Sequence, residues 1–383
     1  LAPSSVGSLA LEPPPVLPDD LLKRGRHVMT VCNACRYCEA FCPVFPALES
    51  RVTFSKGDLT YLANLCHNCG ECLYACQYAP PHEFGINVPL TLAQIRGASY
   101  EESSWPPSLS VLFKRQMLLS AVALVVGFLA VGIVARTEPG SSASGGDFYQ
   151  VIPHDLMVGL FLTIWILVMT ALFIGGVRFW SATSSRGMGH TTGPTDLRAF
   201  GDALTLKHLH GGGVDCPDAQ DVREPWRRWF HHATFYGFAL CFASTSVAAF
   251  YHLVLGWLAP YPYTSLPVTL GVLGGIGLLV GPAGLLALRR RRDVALHDTA
   301  QTGMDVSLAA FLLLTSLTGF LLLVLRDRPA MPALLIVHLA VVLALFLTLP
   351  YGKFVHGLYR TMALIKFSAE EAYGKKNGAA RRG

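Results

Sequence analysis

The chain has 383 residues, of which 52% are apolar and only 14% are Asp, Glu, Lys or Arg, against about 25% charged in a typical soluble chain. So few charges cannot cover a soluble protein of this length, and a mean hydropathy of +0.43 agrees. The same apolar content excludes disordered, collagen-like and small disulfide-scaffold classes. The net charge of +5 does not indicate nucleic-acid binding, because the basic residues lie between apolar blocks and not in one patch.

In chain order, residues 1–20 hold five prolines and little periodicity. They are expected to form a flexible arm, without the apolar stretch of a secretory signal. Residues 21–104 are polar and rich in cysteine, long enough for a small domain held by metal centres. Residues 105–366 are predicted to form a membrane domain with apolar runs at about 112–134, 156–177, 232–258, 266–288, 306–325 and 333–349, the last continued as helix to 356. A bilayer core needs about 20 such residues per helix. Residues 367–383 read as a basic tail.

The basic residues orient these runs. Nine Lys/Arg precede or enter the first run, seven lie in 178–228, four in 289–292 and seven after Pro350, leaving Arg136, Arg326 and Arg328 for the other side. That asymmetry predicts a multi-pass membrane protein with both termini in the cytoplasm. Thiols stay reduced there, so clustered cysteines imply metal ligation and not disulfides.

Eight of the ten cysteines lie between Cys32 and Cys76. They form two runs of the pattern C-x2-C-x2-C-x3-C, Cys32-Cys35-Cys38-Cys42 and Cys66-Cys69-Cys72-Cys76, the ferredoxin spacing for two [4Fe–4S] clusters. In two-cluster ferredoxins the fourth cysteine of each run ligates the other cluster. One cluster is therefore assigned Cys32, Cys35, Cys38 and Cys76; the second takes Cys66, Cys69, Cys72 and Cys42. Paired zinc sites would need only C-x2-C pairs. Pro43 follows the first run, whereas Cys76 is followed by Gln77, so the second run is expected to turn differently.

The glycine-rich stretch 271–284 lies inside an apolar run with no preceding strand. It reads as small residues allowing close helix packing, not as a nucleotide loop. Cys241 reads as a small buried residue.

Ionisable groups in lipid are costly and usually functional. His338 and His356 are 18 residues apart, about five helical turns, and so share a face if the helix is continuous. His231 and His252 are about 5.8 turns apart and roughly share one; His232 is the alternative to His231. Antiparallel helices would pair His231 with His356 near the cytoplasmic surface and His252 with His338 near the outer one. Those are two bis-imidazole sites suited to two b-type haems. Pro350 could disturb the phase between His338 and His356. His27, His67, His82, His190 and His297 sit in polar segments and read as solvated or hydrogen-bonding. His208, His210 and Cys216 form an incomplete ligand set in a glycine-rich connector.

The two cysteine runs, RRWFHHATFYGFALCFASTSVAAFYH (227–252), PYPYTSLPVTLGVLGGIGLLVGPAG (260–284) and the terminal helix together resemble the tricarballylate utilization protein B family, also called citrate utilization protein B. LPYGKFVH (349–356) resembles the last haem-binding helix of nitrate reductase gamma subunits. The resemblance implies a membrane partner of a cytoplasmic FAD-dependent tricarballylate dehydrogenase, reoxidising its flavin and passing electrons to the quinone pool. The fold expected is an α-helical integral membrane bundle of six transmembrane helices, nitrate-reductase-gamma-like, with an N-terminal two-cluster ferredoxin-like domain. No residue pair suggests acid–base or nucleophilic catalysis, so the chain reads as an electron-transfer subunit. The competing readings are a subunit for a different dehydrogenase or reductase, and a redox-sensing or assembly protein without catalytic flux.

Overall fold

The computed structural model describes residues 17–135, 148–183, 193–210 and 225–380. Most of the expected N-terminal arm (1–16), His190 and Cys216 lie outside the described residues, as does the side chain of His210.

Five helices make the cysteine-rich domain: α1 (Asp19–Cys35), α2 (Val44–Glu49), α3 (Lys56–Leu65), α4 (Glu71–Tyr74) and α5 (Val88–Ser103). Asp19 and Asp20 sit in the first turn of α1, where acidic groups suit the helix dipole. A capping box joins Ser55 and Asp58 at the start of α3, satisfying two otherwise orphaned N–H groups. Leu59, Leu62, Leu65, Leu92 and Ile95 are fully buried between α3 and α5. This core holds the two cysteine runs on its flank.

Among the described residues, six helices are long and apolar enough to cross a membrane. They are α6 (Gln116–Val134), α7 (His154–Ala182), α9 (Trp226–Leu253), α10 (Leu266–Arg291), α11 (Thr302–Val324) and α12 (Met331–Thr348); the short α8 (Gly193–Leu204) intervenes. Their outward faces are bare hydrocarbon: Ile133, Phe173 and Met117 are 84%, 72% and 70% exposed, an arrangement suited to lipid and not to water. Inside the bundle, helices meet backbone to backbone. A Cβ on Gly127 of α6 would lie 2.5 Å from the Ala340 carbonyl oxygen of α12. The glycine-rich stretch behaves as expected, for a Cβ on Gly277 of α10 would lie 2.7 Å from the Ala233 carbonyl oxygen of α9.

The sixth run departs from the sequence reading. Its helix ends at Thr348, a 3-10 turn spans Leu349–Tyr351, and Gly352 is extended before a new helix, α13 (Val355–Ala380). Pro350 supplies no N–H and disfavours helical backbone at the residue before it, and Gly352 completes the break. His338 and His356 therefore lie on different helices, so the five-turn phase argument does not hold, and LPYGKFVH is a joint between helices. Residues 367–371, expected to open a tail, continue α13 over the cysteine-rich domain. Arg51 donates to both Asp58, at 2.8 Å, and Glu370, and Tyr61 donates to Glu370 at 3.1 Å. Lys366 donates to the Trp180 carbonyl at 3.0 Å and to Thr183 Oγ1 at 2.6 Å, tying α13 to the end of α7.

Candidate electron-transfer site

The two cysteine runs fold through similar turns. Each bends by a left-handed residue after its second cysteine, Arg36 (φ 56°) in one and Gly70 (φ 96°) in the other. Asn68 is also left-handed, and its N–H donates to Cys66 Sγ at 3.3 Å. After Cys42 the chain enters α2 through Pro43; after Cys76, which lacks that proline, it passes through successive turns.

The fourth cysteines cross between runs. A cavity of about 280 Å³ is lined by Cys32, Cys35, Cys38 and Cys76, together with Cys72, Tyr37 and Tyr78. A tighter space is lined by Cys42, Cys66, Cys69 and Cys72. Burial, and then Cys76 from the other run, pushes the Cys32 thiol up to about 12. Burial and Cys76 do the same to Cys38, also to about 12. Cys42 is raised by burial and then Cys66, and Cys72 by burial and then Cys42. Four thiols so placed resist becoming thiolates together unless a cationic core lies among them, which fits a ligand set for an iron–sulfur cluster. Among the described residues, no three His, Cys, Asp or Glu side chains close to the spacing of a single metal ion.

The two cages differ in surroundings. The first lies under the exposed segment around Tyr37, itself 69% exposed. The second is built on a loop whose residues Cys66, His67 and Asn68 are all buried. It is closed over by the connection after α10: Asn68 donates to the Leu296 carbonyl at 3.3 Å and Tyr74 to Asp293 at 3.0 Å.

Four arginines from four segments grip this inner loop by its carbonyls. Arg96 of α5 donates to Ala63 at 3.2 Å and Cys66 at 2.7 Å. Arg360 of α13 donates to Asn64 at 3.3 Å and to the same Cys66 oxygen at 2.7 Å. Arg227, opening α9, donates to His67 at 2.8 Å and Asn68 at 3.1 Å, and Arg292 also reaches Asn68. His67 is held well below its ordinary pKa by burial first and then by Arg360. Its ring lies 6.0 Å from that of His208, which also faces Asp202 at 3.6 Å.

One turn from the arginines stand two histidines. His231 follows Arg227 by four residues on α9, and His356 precedes Arg360 by four on α13, so each helix shows both side chains on one face. The His231 and His356 rings are 6.0 Å apart and inclined at 73°. Two imidazoles on one metal, each with a bond of about 2 Å, have about this separation. His356 Nδ1 faces the Lys353 carbonyl, which fixes the ring and leaves Nε2 for a ligand, the usual outer-shell arrangement of a metal-binding histidine. His232 instead stacks on Tyr236, at 5.6 Å and 4°.

The outer histidines are given different neighbours. His338 lies against Thr318, with Nδ1 to Oγ1 at 2.9 Å. His252 stacks on His154 at 3.6 Å and 19° and faces Tyr149 at 3.3 Å. Parallel rings in van der Waals contact leave no room for iron between them. His154, the first residue of α7, carried no periodic signal in the sequence and is visible only through this contact. The arginine grip had a signal that spacing could have revealed: an arginine four residues from each cluster-proximal histidine.

The family model for citrate utilization protein B matches residues 106–377, and that for the citrate utilization protein B Fer4-like domain matches residues 25–102. The chain belongs to the citrate utilization protein B family. Citrate utilization protein B of Escherichia coli is 50% identical over 359 residues, covering 92% of this chain and 94% of that protein. No solved structure matches the chain. As a member of that family with a Fer4-like domain, the chain has an iron–sulfur electron-transfer role. The boundary between the two family matches falls at residues 103–105, where α5 ends and the chain turns toward α6.

Proposed function

We propose that this citrate utilization protein B family member is a membrane electron-transfer subunit. It reoxidises a cytoplasmic FAD-dependent tricarballylate dehydrogenase and delivers the electrons to quinone in the bacterial inner membrane, both termini being cytoplasmic. The observation that carries the reading is the shared grip of α9 and α13. Each helix end holds the inner cysteine loop through Arg227 or Arg360 and, one turn of about 5.4 Å away, presents His231 or His356.

The residues divide the work. Cys32, Cys35, Cys38 and Cys76 would hold an outer [4Fe–4S] cluster under the exposed Tyr37 surface, where a soluble flavoprotein can approach. Cys42, Cys66, Cys69 and Cys72 would hold an inner one against the membrane bundle. His231 and His356 would hold a b-type haem at the cytoplasmic end of the bundle. Such groups would supply the one-electron carriers. Arg227 and Arg360 fix the distance from the inner loop to the histidine pair, and the loop itself is buried. A second haem on His252 and His338 would require His252 to leave its stack on His154. The tricarballylate substrate rests on the family resemblance, since no residue here reads it.

The test is a visible spectrum of the detergent-purified protein before and after dithionite. A reduced b-type band that is lost in both His231→Ala and His356→Ala but retained in His232→Ala is the expected result, with iron–sulfur absorbance surviving in all three. Absence of any such band in the wild type would remove the haem. Zinc without acid-labile sulfide would remove the electron-transfer reading itself.

A further inference from the structure

Arg96 and Arg360 approach one atom. Both donate to the carbonyl oxygen of Cys66, each at 2.7 Å. Arg96 is 5% exposed, and Arg360 is drawn below its ordinary pKa by burial and then by Arg96 itself. Among the described residues their guanidinium groups are directed at carbonyl oxygens, not at carboxylates. Burying two like charges side by side is costly unless an anion lies within reach. The inner cage is built on the loop that both arginines grip, and Cys66 itself carries the carbonyl they share.

Among the described residues, the outer cage has no such pair of arginines on one carbonyl. Its own arginine, Arg36, is exposed and donates to the Asn33 carbonyl, so solvent screens its charge.

We infer that Arg96 and Arg360 are positioning and tuning residues that raise the reduction potential of the inner cluster above that of the outer one, giving electron flow a direction toward the bundle. A [4Fe–4S] cluster with four thiolates is a dianion when oxidised and a trianion after taking one electron. Fixed buried cations stabilise the second state more than the first. The electron lost by the outer cluster is gained by the inner one without a proton. The flavin of the dehydrogenase supplies the reductant. This inference rests on the two-cluster reading proposed above.

The experiment is a dithionite-mediated redox titration of the full-length protein in detergent, followed by electron paramagnetic resonance. The two cluster signals are assigned with Cys35→Ser, which removes an outer ligand. Arg96→Gln and Arg360→Gln retain a hydrogen-bond donor and remove the charge. Each should disfavour reduction of the inner cluster by about tenfold or more, equivalent to about 59 mV for a one-electron couple, while the outer signal stays in place. Arg360→Lys, which restores charge without the planar fork, should recover most of the shift. Equal displacement of both signals, or an unmoved inner signal in a variant with full iron and sulfide, overturns the inference. If the wild type gives no cubane signal at all, the two-cluster reading fails instead. Should one glutamine variant lose its inner cluster, the other and Arg360→Lys still give the decisive potential.

Discussion

Gly70 offers a measurable link between backbone geometry and the inner cage. It stands between Cys69 and Cys72 at φ 96°, a conformation that costs an L-residue about 1–2 kcal/mol. A Cβ there would also lie 2.8 Å from Leu296 Cδ1 and 3.2 Å from Tyr74 Cε2. Leu296 is 3% exposed and cannot swing into solvent, so overpacking adds about 1–3 kcal/mol. Gly70→Ala should therefore cost about 2–5 kcal/mol in all. Gly85 is the internal control: its φ is 55° but nothing lies within 4 Å of its Cβ position, so Gly85→Ala should cost only the backbone share of about 1–2 kcal/mol. Thermal unfolding in detergent, with iron and acid-labile sulfide measured on the same samples, reads both effects. In a Leu296→Ala background the cost of Gly70→Ala should fall toward that of Gly85→Ala, a coupling isolated by the double-mutant cycle. If Gly70→Ala costs the same in both backgrounds, Leu296 is not what a side chain at position 70 would meet, and the reasoning fails.

Other outcomes follow from the same geometry. The wild type purified anaerobically should contain about eight cluster iron and about eight acid-labile sulfide, and Cys35→Ser should halve both; loss of all iron would mean that the cages do not fold independently. Glu370→Gln should destabilise the protein by about 2–4 kcal/mol, because it strips a carboxylate from the buried Arg51, and should expose α13 to proteolysis; an unchanged melting temperature would show the clamp to be idle. Burial draws Lys366 down to about 8, so the unfolded chain holds its proton more tightly than the folded one. Stability should accordingly rise as pH increases from about 8 toward the ordinary lysine value of about 10.4, and Lys366→Met should remove that rise when the two unfolding curves are compared. A reporter fused after Gly383 should be active only in the cytoplasm and one inserted at Ser142 only outside; the reverse would invert the charge-based topology.

The readable parts of the chain were those written in local periodicity. Cysteine spacing encodes the repeated turn that packs thiols around one centre, and about 20 uninterrupted apolar residues encode a helix that satisfies its own backbone in lipid. The small-residue stretch in α10 was legible for the same reason, since a helix with no side chains on one face has one use in an apolar setting. The break after Thr348 was only half legible: Pro350 marked it, but whether a proline kinks or ends a helix depends on what receives the chain beyond it. Here α13 is received by Arg51, Tyr61 and Trp180, residues far away in sequence.

By itself, then, the sequence determined the two cysteine runs, the six apolar helices and the family, because each rests on residues close together along the chain. The tertiary structure alone decided which distant groups meet. It brought His356 to His231 from a separate helix, turned His252 onto His154, and converged Arg96 and Arg360 on the Cys66 carbonyl. Those contacts depend on how helices cross and where one helix gives way to the next, and a one-residue change in phase rotates a side chain by about 100°.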